Sequence, residues 1–165
     1  MYMQDNIFLS SHFCLKEFTE SATARKHGIA NEATPEAVEN LKRLCQGTLE
    51  PLREALQLPV IITSGYRTKE LNDMLAHSSE RSQHMLGQAA DLYVGNGSRE
   101  LLIKAFREIL LNPGIDFDQV ILYPTFIHVS YVSKERNRRG ILKAKGNGKL
   151  GYGRLTLANA LSINS

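Results

Sequence analysis

The apolar pattern of this chain changes period part-way along its length. Val38, Leu41, Cys45, Thr48 and Leu52 recur every three or four positions, and Leu44, Leu49 and Leu56 widen the stripe. That spacing is one buried face of a helix. From Val60 onward the apolar residues gather in short runs instead: Val60-Ile61-Ile62, Ala89–Val94, Phe117–Leu122 and Phe126–Val132. Such runs read as strands. Helices first and strands afterwards predict an α+β fold, a small and mainly antiparallel sheet with the N-terminal helices packed on one side.

The punctuation agrees. Ser11 is placed to cap a helix from His12 to about Thr23, and Thr34-Pro35 is a strong helix start. Pro51 removes a backbone donor inside the long stripe, which predicts a kink or restart there. Thr68 is placed to cap a helix from Lys69 to about His77. Ser98 caps one from Arg99 to about Leu111, which Asn112-Pro113-Gly114 stops. Beyond Gly140 a strand is expected near Ile141–Lys143, then a turn or short helix. At 165 residues, with no repeat and no linker-like stretch before residue 131, the chain reads as one domain over 1–165.

Composition narrows the function. With 42% hydrophobic and 22% charged residues, the chain is built to bury a core. No stretch approaches the ~20 apolar residues of a membrane helix. Met1 to Asp5 lacks the features of a secretory signal, so cytoplasmic synthesis is expected. Two cysteines cannot make a disulfide framework or a four-thiolate zinc site. Cys45 lies on the helical stripe and is expected in the core, and Cys14 likewise. Charge is uneven: residues 132–154 hold eight lysines and arginines against one glutamate. Such a segment attracts polyanions. It lacks the aromatic–basic alternation of an RNA-binding sheet, so no nucleic-acid partner is expected. The ordinary reading of this basic, glycine-rich stretch, 133–165, is a solubilising tail.

The sharpest local feature is Ser82-Gln83-His84-Met85-Leu86-Gly87-Gln88-Ala89-Ala90-Asp91. If Ala89–Val94 is a strand, Asp91 shares a face with Ala89 and Tyr93, and Ala90, Leu92 and Val94 face the core. Gly87 permits a tight turn that folds His84 back towards Asp91. In Phe126–Tyr131, His128 shares a face with Phe126 and Ser130. Two imidazoles and a carboxylate with one open position describe a catalytic zinc site. A histidine in a half-buried strand is also commonly a hydrogen-bonded structural residue, and the residues alone leave both readings open.

Taken together, these segments resemble the zinc D-alanyl-D-alanine carboxypeptidase family. That family includes bacterial D,D-carboxypeptidases and dipeptidases, phage L-alanyl-D-glutamate endolysins and, distantly, the Hedgehog signalling domain. Ser82, His84, Gly87, Ala89 and Asp91 fit every fixed position of its S-x-H-x-x-G-x-A-x-D signature. Ser64-Gly65-Tyr66-Arg67 looks like its S-G-[YF]-R segment, and His128 stands where its third metal ligand falls. The resemblance spans about residues 8–132. It implies a Hedgehog/D,D-peptidase-like fold, zinc held by His84, Asp91 and His128, and Arg67 binding a substrate carboxylate or carbonyl. Ser82 either binds substrate or braces the His84 loop. The implied activity is hydrolysis of an amide in peptidoglycan stem peptides by a monomer, released to the cell wall in a phage or prophage lysis setting. One position departs from the pattern. Many members carry an acidic general base three residues before the last ligand, where this chain has Thr125. Some carry a histidine two residues before it, where this chain has Phe126. Asp118 is the nearest upstream acid and the remaining candidate for the base. The departure also admits a second outcome, a zinc-containing cell-wall binding module with weak or no catalysis.

Overall fold

The structure, a computed structural model, describes residues 7–76 and 78–164. Its helices are α1 (Leu15–Thr19), α2 (Ala22–His27), α3 (Pro35–Leu44), α4 (Glu50–Leu56), α5 (Lys69–Met74), α6 (Arg99–Leu111) and α7 (Leu157–Leu161). Its strands are β1 (Val60–Ser64), β2 (Ala89–Val94), β3 (Gln119–Leu122), β4 (Ile127–Ser130), β5 (Gly140–Ala144) and β6 (Tyr152–Arg154). They form one sheet in the order β1-β2-β4-β3-β5-β6. Among the described residues only the β3–β5 pair is parallel, so the expected α+β, mainly antiparallel architecture is found.

The two faces of the sheet differ sharply. Ala90, Leu92, Val120, Leu122, Ile127 and Val129 point to one side and join the core with Leu41, Leu44, Leu52 and Phe106 from the helices. Full burial of each such leucine or phenylalanine is worth about 1.5–3 kcal/mol. The opposite face carries Asp91, His128 and Ile121 and is left open as a cleft.

Caps fall where the sequence puts them for α3, α5 and α6. Thr34, Thr68 and Ser98 each accept a hydrogen bond from the backbone N–H three residues on. The first helix is different. Instead of one helix over 12–23 there are two, divided at Glu20-Ser21, with Ser21 capping α2. The start of α1 is fixed by Glu17, whose carboxylate accepts the Cys14 N–H, and not by Ser11. Pro51 does force a restart. Residues Cys45–Leu49 form a π-turn before α4. The Gly47 carbonyl, which has no proline N–H to accept, takes the Asp116 N–H at 3.0 Å. Thr48 donates to the Asp116 carbonyl at 2.6 Å beside it. Cys45 is buried as expected, whereas Cys14 is partly exposed. The helix expected from Lys69 to about His77 is shorter: α5 ends at Met74, where Leu75 turns to extended backbone, and His77 itself lies outside the described residues.

The basic C-terminal segment is not a tail. β5 and β6 extend the sheet, and Ala160 of α7 is fully buried. Arg107 of α6 donates to the Leu161 and Ile163 carbonyls at 3.1 and 2.8 Å, closing the chain end onto the helical layer.

Candidate metal centre and cleft

Strand register assembles the site. Asp91 of β2 sits opposite His128 of β4 on one side and Ser64 of β1 on the other. A bulge between Ile62 and Ser64 re-aims the end of β1, a usual role for bulges beside functional sites. His84 arrives from a 3₁₀ turn, Gln83–Leu86, that Gly87 terminates at φ 70°. The ligating atoms then crowd together. Asp91 Oδ1 lies 2.9 Å from His128 Nδ1 and 3.3 Å from His84 Nε2, and the two imidazole nitrogens are 3.3 Å apart. A tetrahedral zinc site with bonds of about 2.0 Å has ligand–ligand edges of roughly 3.3 Å. The donor set of two imidazoles and a carboxylate fits zinc in both chemistry and spacing.

The surroundings prepare each ligand. His84 is 3% exposed, and its Nδ1–H donates to the Gly65 carbonyl at 2.7 Å, which fixes the tautomer that leaves Nε2 free. Burial pushes its pKa down, and the nearby Asp91 carboxylate opposes that shift. Burial works against the charge of Asp91, but His84 and His128 more than offset it and hold the carboxyl well below the usual carboxylate range. Arg67 takes the other carboxylate oxygen, with Nη2 at 3.3 Å from Asp91 Oδ2. Its Nε and Nη2 also donate to Ser64 Oγ at 3.1 and 3.0 Å. Arg67 Nη1 has no hydrogen-bond partner among the described residues, and the side chain lines the cleft.

The Ser64–Arg67 segment and the His84 turn are bound reciprocally, because the Arg67 N–H donates to the His84 carbonyl at 3.1 Å. Gly65 is required here, since a Cβ would stand 2.6 Å from the Phe18 backbone. Asn31 completes the clamp. Its Nδ2 donates to the Thr19 and Tyr66 carbonyls, and its Oδ1 accepts the Thr68 N–H, all at 2.9 Å. The cleft beside the triad has a volume of about 780 Å³. Tyr123 and Phe126 stack at 4.2 Å along one wall, and the Tyr123 hydroxyl meets that of Tyr152 at 2.9 Å.

A family model described as Peptidase M15 matches residues 11–130, most of the chain. The chain belongs to the peptidase M15 family. No curated protein matches it.

M15 peptidases are zinc enzymes, and the structure brings His84, Asp91 and His128 within reach of one metal ion, with Arg67 bonded to Asp91. The other M15-derived positions are arranged as follows. Ser82 lines the cleft and accepts the His84 N–H at 3.3 Å, bracing the turn. Asp118 also reaches the cleft, but its carboxylate is saturated. Oδ1 accepts from the Arg138 N–H and Nε, both at 2.9 Å, and Oδ2 accepts from Arg138 Nη2 at 2.6 Å and Gln83 Nε2 at 3.0 Å. Those four bonds fill the lone-pair sites of a carboxylate, and Asp118 serves as an anchor for the loop that carries Arg138. Thr125 is exposed at the tip of the β3–β4 hairpin and is not among the residues lining the cleft. Two further histidines lie outside the cleft: His27 ends α2 before the left-handed Gly28, and the His12 N–H and Nδ1 both engage Glu50, which Ser10 also bonds. Asn31, Gln83, Arg138 and Tyr152 were not legible as site residues. Each acts through a partner distant in sequence; Gln83 stands at a variable position of the signature, and the other three lie outside the quoted motifs.

Proposed function

We propose that this M15 protein is a zinc-dependent peptidase that hydrolyses an amide bond in the stem peptides of peptidoglycan. The observation that carries the reading is the His84–Asp91–His128 triangle, whose edges of 2.9 to 3.3 Å suit one tetrahedral zinc ion at the floor of a peptide-sized cleft. When bound, zinc supplies Lewis-acid polarisation of a carbonyl and acidifies a water towards neutral pH. The chain's own groups then divide the work. His84 and His128 would offer ring nitrogens to the metal and Asp91 a carboxylate oxygen. Arg67 fixes the orientation of Asp91 through Nη2 and has Nη1 left to hold a substrate carboxylate or carbonyl, a task suited to the planar fork of guanidinium. The Tyr123–Phe126 stack gives the cleft an apolar wall against which a peptide side chain can lie.

Incubation of zinc-loaded protein with purified peptidoglycan, followed by mass spectrometry of released fragments, tests the reading. New peptide termini are expected from the wild type. Metal analysis of His84→Ala, Asp91→Ala and His128→Ala should show sub-stoichiometric zinc, because a three-ligand site loses much of its affinity with any one ligand. Full occupancy in a variant removes that residue from the set. A second reading, a cell-wall binding module of little activity, is favoured by one observation. The two carboxylates lining the cleft, Asp91 and Asp118, are both committed to other partners. Co-sedimentation with peptidoglycan without fragment release would decide for it.

A further inference from the structure

The family match ends at residue 130, but the cleft does not. Arg136, Arg138, Leu142, Asn147 and Tyr152, all from the basic C-terminal segment, form part of its wall. The loop that carries Arg136 is pinned by its next three residues. Asn137 Nδ2 donates to Asp116 Oδ2 at 2.8 Å, and Arg138 grips Asp118. Arg139 donates to Asp116 Oδ1 at 2.9 Å while lying 4.5 Å over the Phe117 ring. Arg81 also lines the cleft, from the loop after α5. That loop is held by the Asn72 side chain, which donates to the Ser79 carbonyl at 3.0 Å, and by the Arg81 N–H, which donates to Ser79 Oγ at 3.1 Å.

The charges in the cleft are unbalanced. Among the described residues, Arg67, Arg81, Arg136 and Arg138 line it with two carboxylates, Asp91 and Asp118. Arg67 pairs with Asp91 and Arg138 with Asp118, and neither Arg81 nor Arg136 has a carboxylate partner among the described residues. Two unopposed guanidinium groups on fixed loops, sharing a concave surface, create a positive potential focused into that cleft. Guanidinium matches a carboxylate in charge and geometry.

We propose that Arg81 and Arg136 form a second anion-binding pole, distinct from Arg67, that selects peptides carrying two carboxylates. The proposal rests on the peptidase reading and names its substrate class. One carboxylate is met at Arg67 beside the triad, and the other at the Arg81/Arg136 rim. Peptidoglycan stems supply such a pair when the α-carboxyl of γ-linked D-glutamate is free, and only one when it is amidated. The C-terminal segment is thereby a specificity element.

The test compares two synthetic peptides, L-Ala-γ-D-Glu-L-Lys-D-Ala-D-Ala and the same peptide with D-isoglutamine in place of D-glutamate. Binding to wild type, Arg81→Gln, Arg136→Gln and the double variant is measured by calorimetry at about 50 and 300 mM salt. Arg53→Gln, on α4 away from the cleft, serves as control. Zinc content and thermal midpoint are expected to be unchanged in every variant. The wild type should prefer the diacid by about 5- to 10-fold at low salt, the preference shrinking at high salt. The double variant should bind both peptides equally while retaining wild-type affinity for the amidated one. Equal binding of the two peptides by wild type, or a preference that survives the double substitution, overturns this proposal and leaves the peptidase reading standing. A wild type that binds neither peptide and releases nothing from peptidoglycan overturns both.

Discussion

Gly87 offers the cleanest test of how the chain places its metal ligands. It ends the turn that carries His84, at φ 70°, and a Cβ there would stand 2.4 Å from the Ala37 carbonyl oxygen and 3.0 Å from the Ala37 Cα. Those are backbone atoms of α3, and no side-chain rotation relieves the contact. Gly28 is the matching control, with φ 66° and nothing within 4 Å of an added Cβ. Alanine in a left-handed conformation costs about 1–2 kcal/mol, partly offset by reduced freedom of the unfolded chain. Gly28→Ala should therefore cost about 1 kcal/mol or less. Gly87→Ala adds an overpacking cost of about 1–3 kcal/mol, for a total near 2–4 kcal/mol. In a chain of this size that lowers the thermal midpoint by about 5–15 °C.

The turn must also move, and His84 moves with it. The edges of 2.9 to 3.3 Å in the His84–Asp91–His128 triangle leave little tolerance. Zinc affinity should thus fall at least about tenfold in Gly87→Ala, on the scale seen when groups that orient a ligand are disturbed. It should be unchanged in Gly28→Ala. Calorimetric melting and chelator competition measure the two effects. Equal melting and equal zinc affinity in both variants would refute the argument, because it would mean that α3 does not hold the His84 turn in place.

Three other outcomes are expected. Burial opposes the charge of Asp118, but Arg138 and Gln83 hold its carboxyl below the usual carboxylate range. A lowered folded-state pKa contributes stability that is whole above the ordinary value of about 3.9 and is lost as pH falls through the folded value. The urea midpoint of wild type should accordingly converge on that of Asp118→Asn between pH 5 and pH 2, and a constant gap would contradict the assignment. Burial pushes the Cys45 thiol far up, so a disulfide reagent at pH 8 should label Cys14 in the folded protein and Cys45 only on unfolding; equal labelling rates would refute this. Thr125→Glu, at an exposed hairpin tip outside the cleft, should alter hydrolysis by less than about threefold, whereas a gain of ~10²-fold, the scale of a placed general base, would put that tip over the triad.

The sequence made the local parts of this site legible. Strand alternation puts Asp91 and His128 on the face opposite Leu92 and Val129, and Gly87 announces the turn that returns His84. Caps at Thr34, Thr68 and Ser98 are equally local. What escaped depends on pairs far apart in the chain. The split between α1 and α2 follows from Phe18, whose carbonyl accepts the Tyr66 N–H at 2.7 Å, and from Asn31 clamping the same corner. The C-terminal segment reads as a charged tail because Glu135 is the one acid among the eight bases of residues 132–154. The partners of Arg138 and Arg139, Asp118 and Asp116, come from the segment leading into β3, the neighbour of β5 in the sheet.

That arrangement bears on how fast such a site can run. Among the candidate ligands, His84 is held by the Gly65 carbonyl and Asp91 by Arg67, whereas His128 bonds only within the triad among the described residues. Proton transfer is less well provided. Asp91 is a candidate ligand, and Asp118 accepts four hydrogen bonds. Burial, followed by the Tyr152 hydroxyl, raises the pKa of Tyr123, so that phenol is protonated near neutral pH. A protonated phenol is a hydrogen-bond donor, suited to developing negative charge and unable to take a proton from water. Absence of a placed base typically costs about 10²–10⁴ in rate. A peptidase of this design would therefore hydrolyse slowly, with a rate that rises with pH only until the water that zinc would acidify is itself ionised, near neutral pH. A plateau reached well below neutral pH would instead point to a carboxylate brought into the cleft with the substrate, and the second acid of a γ-linked D-glutamyl stem is one such group.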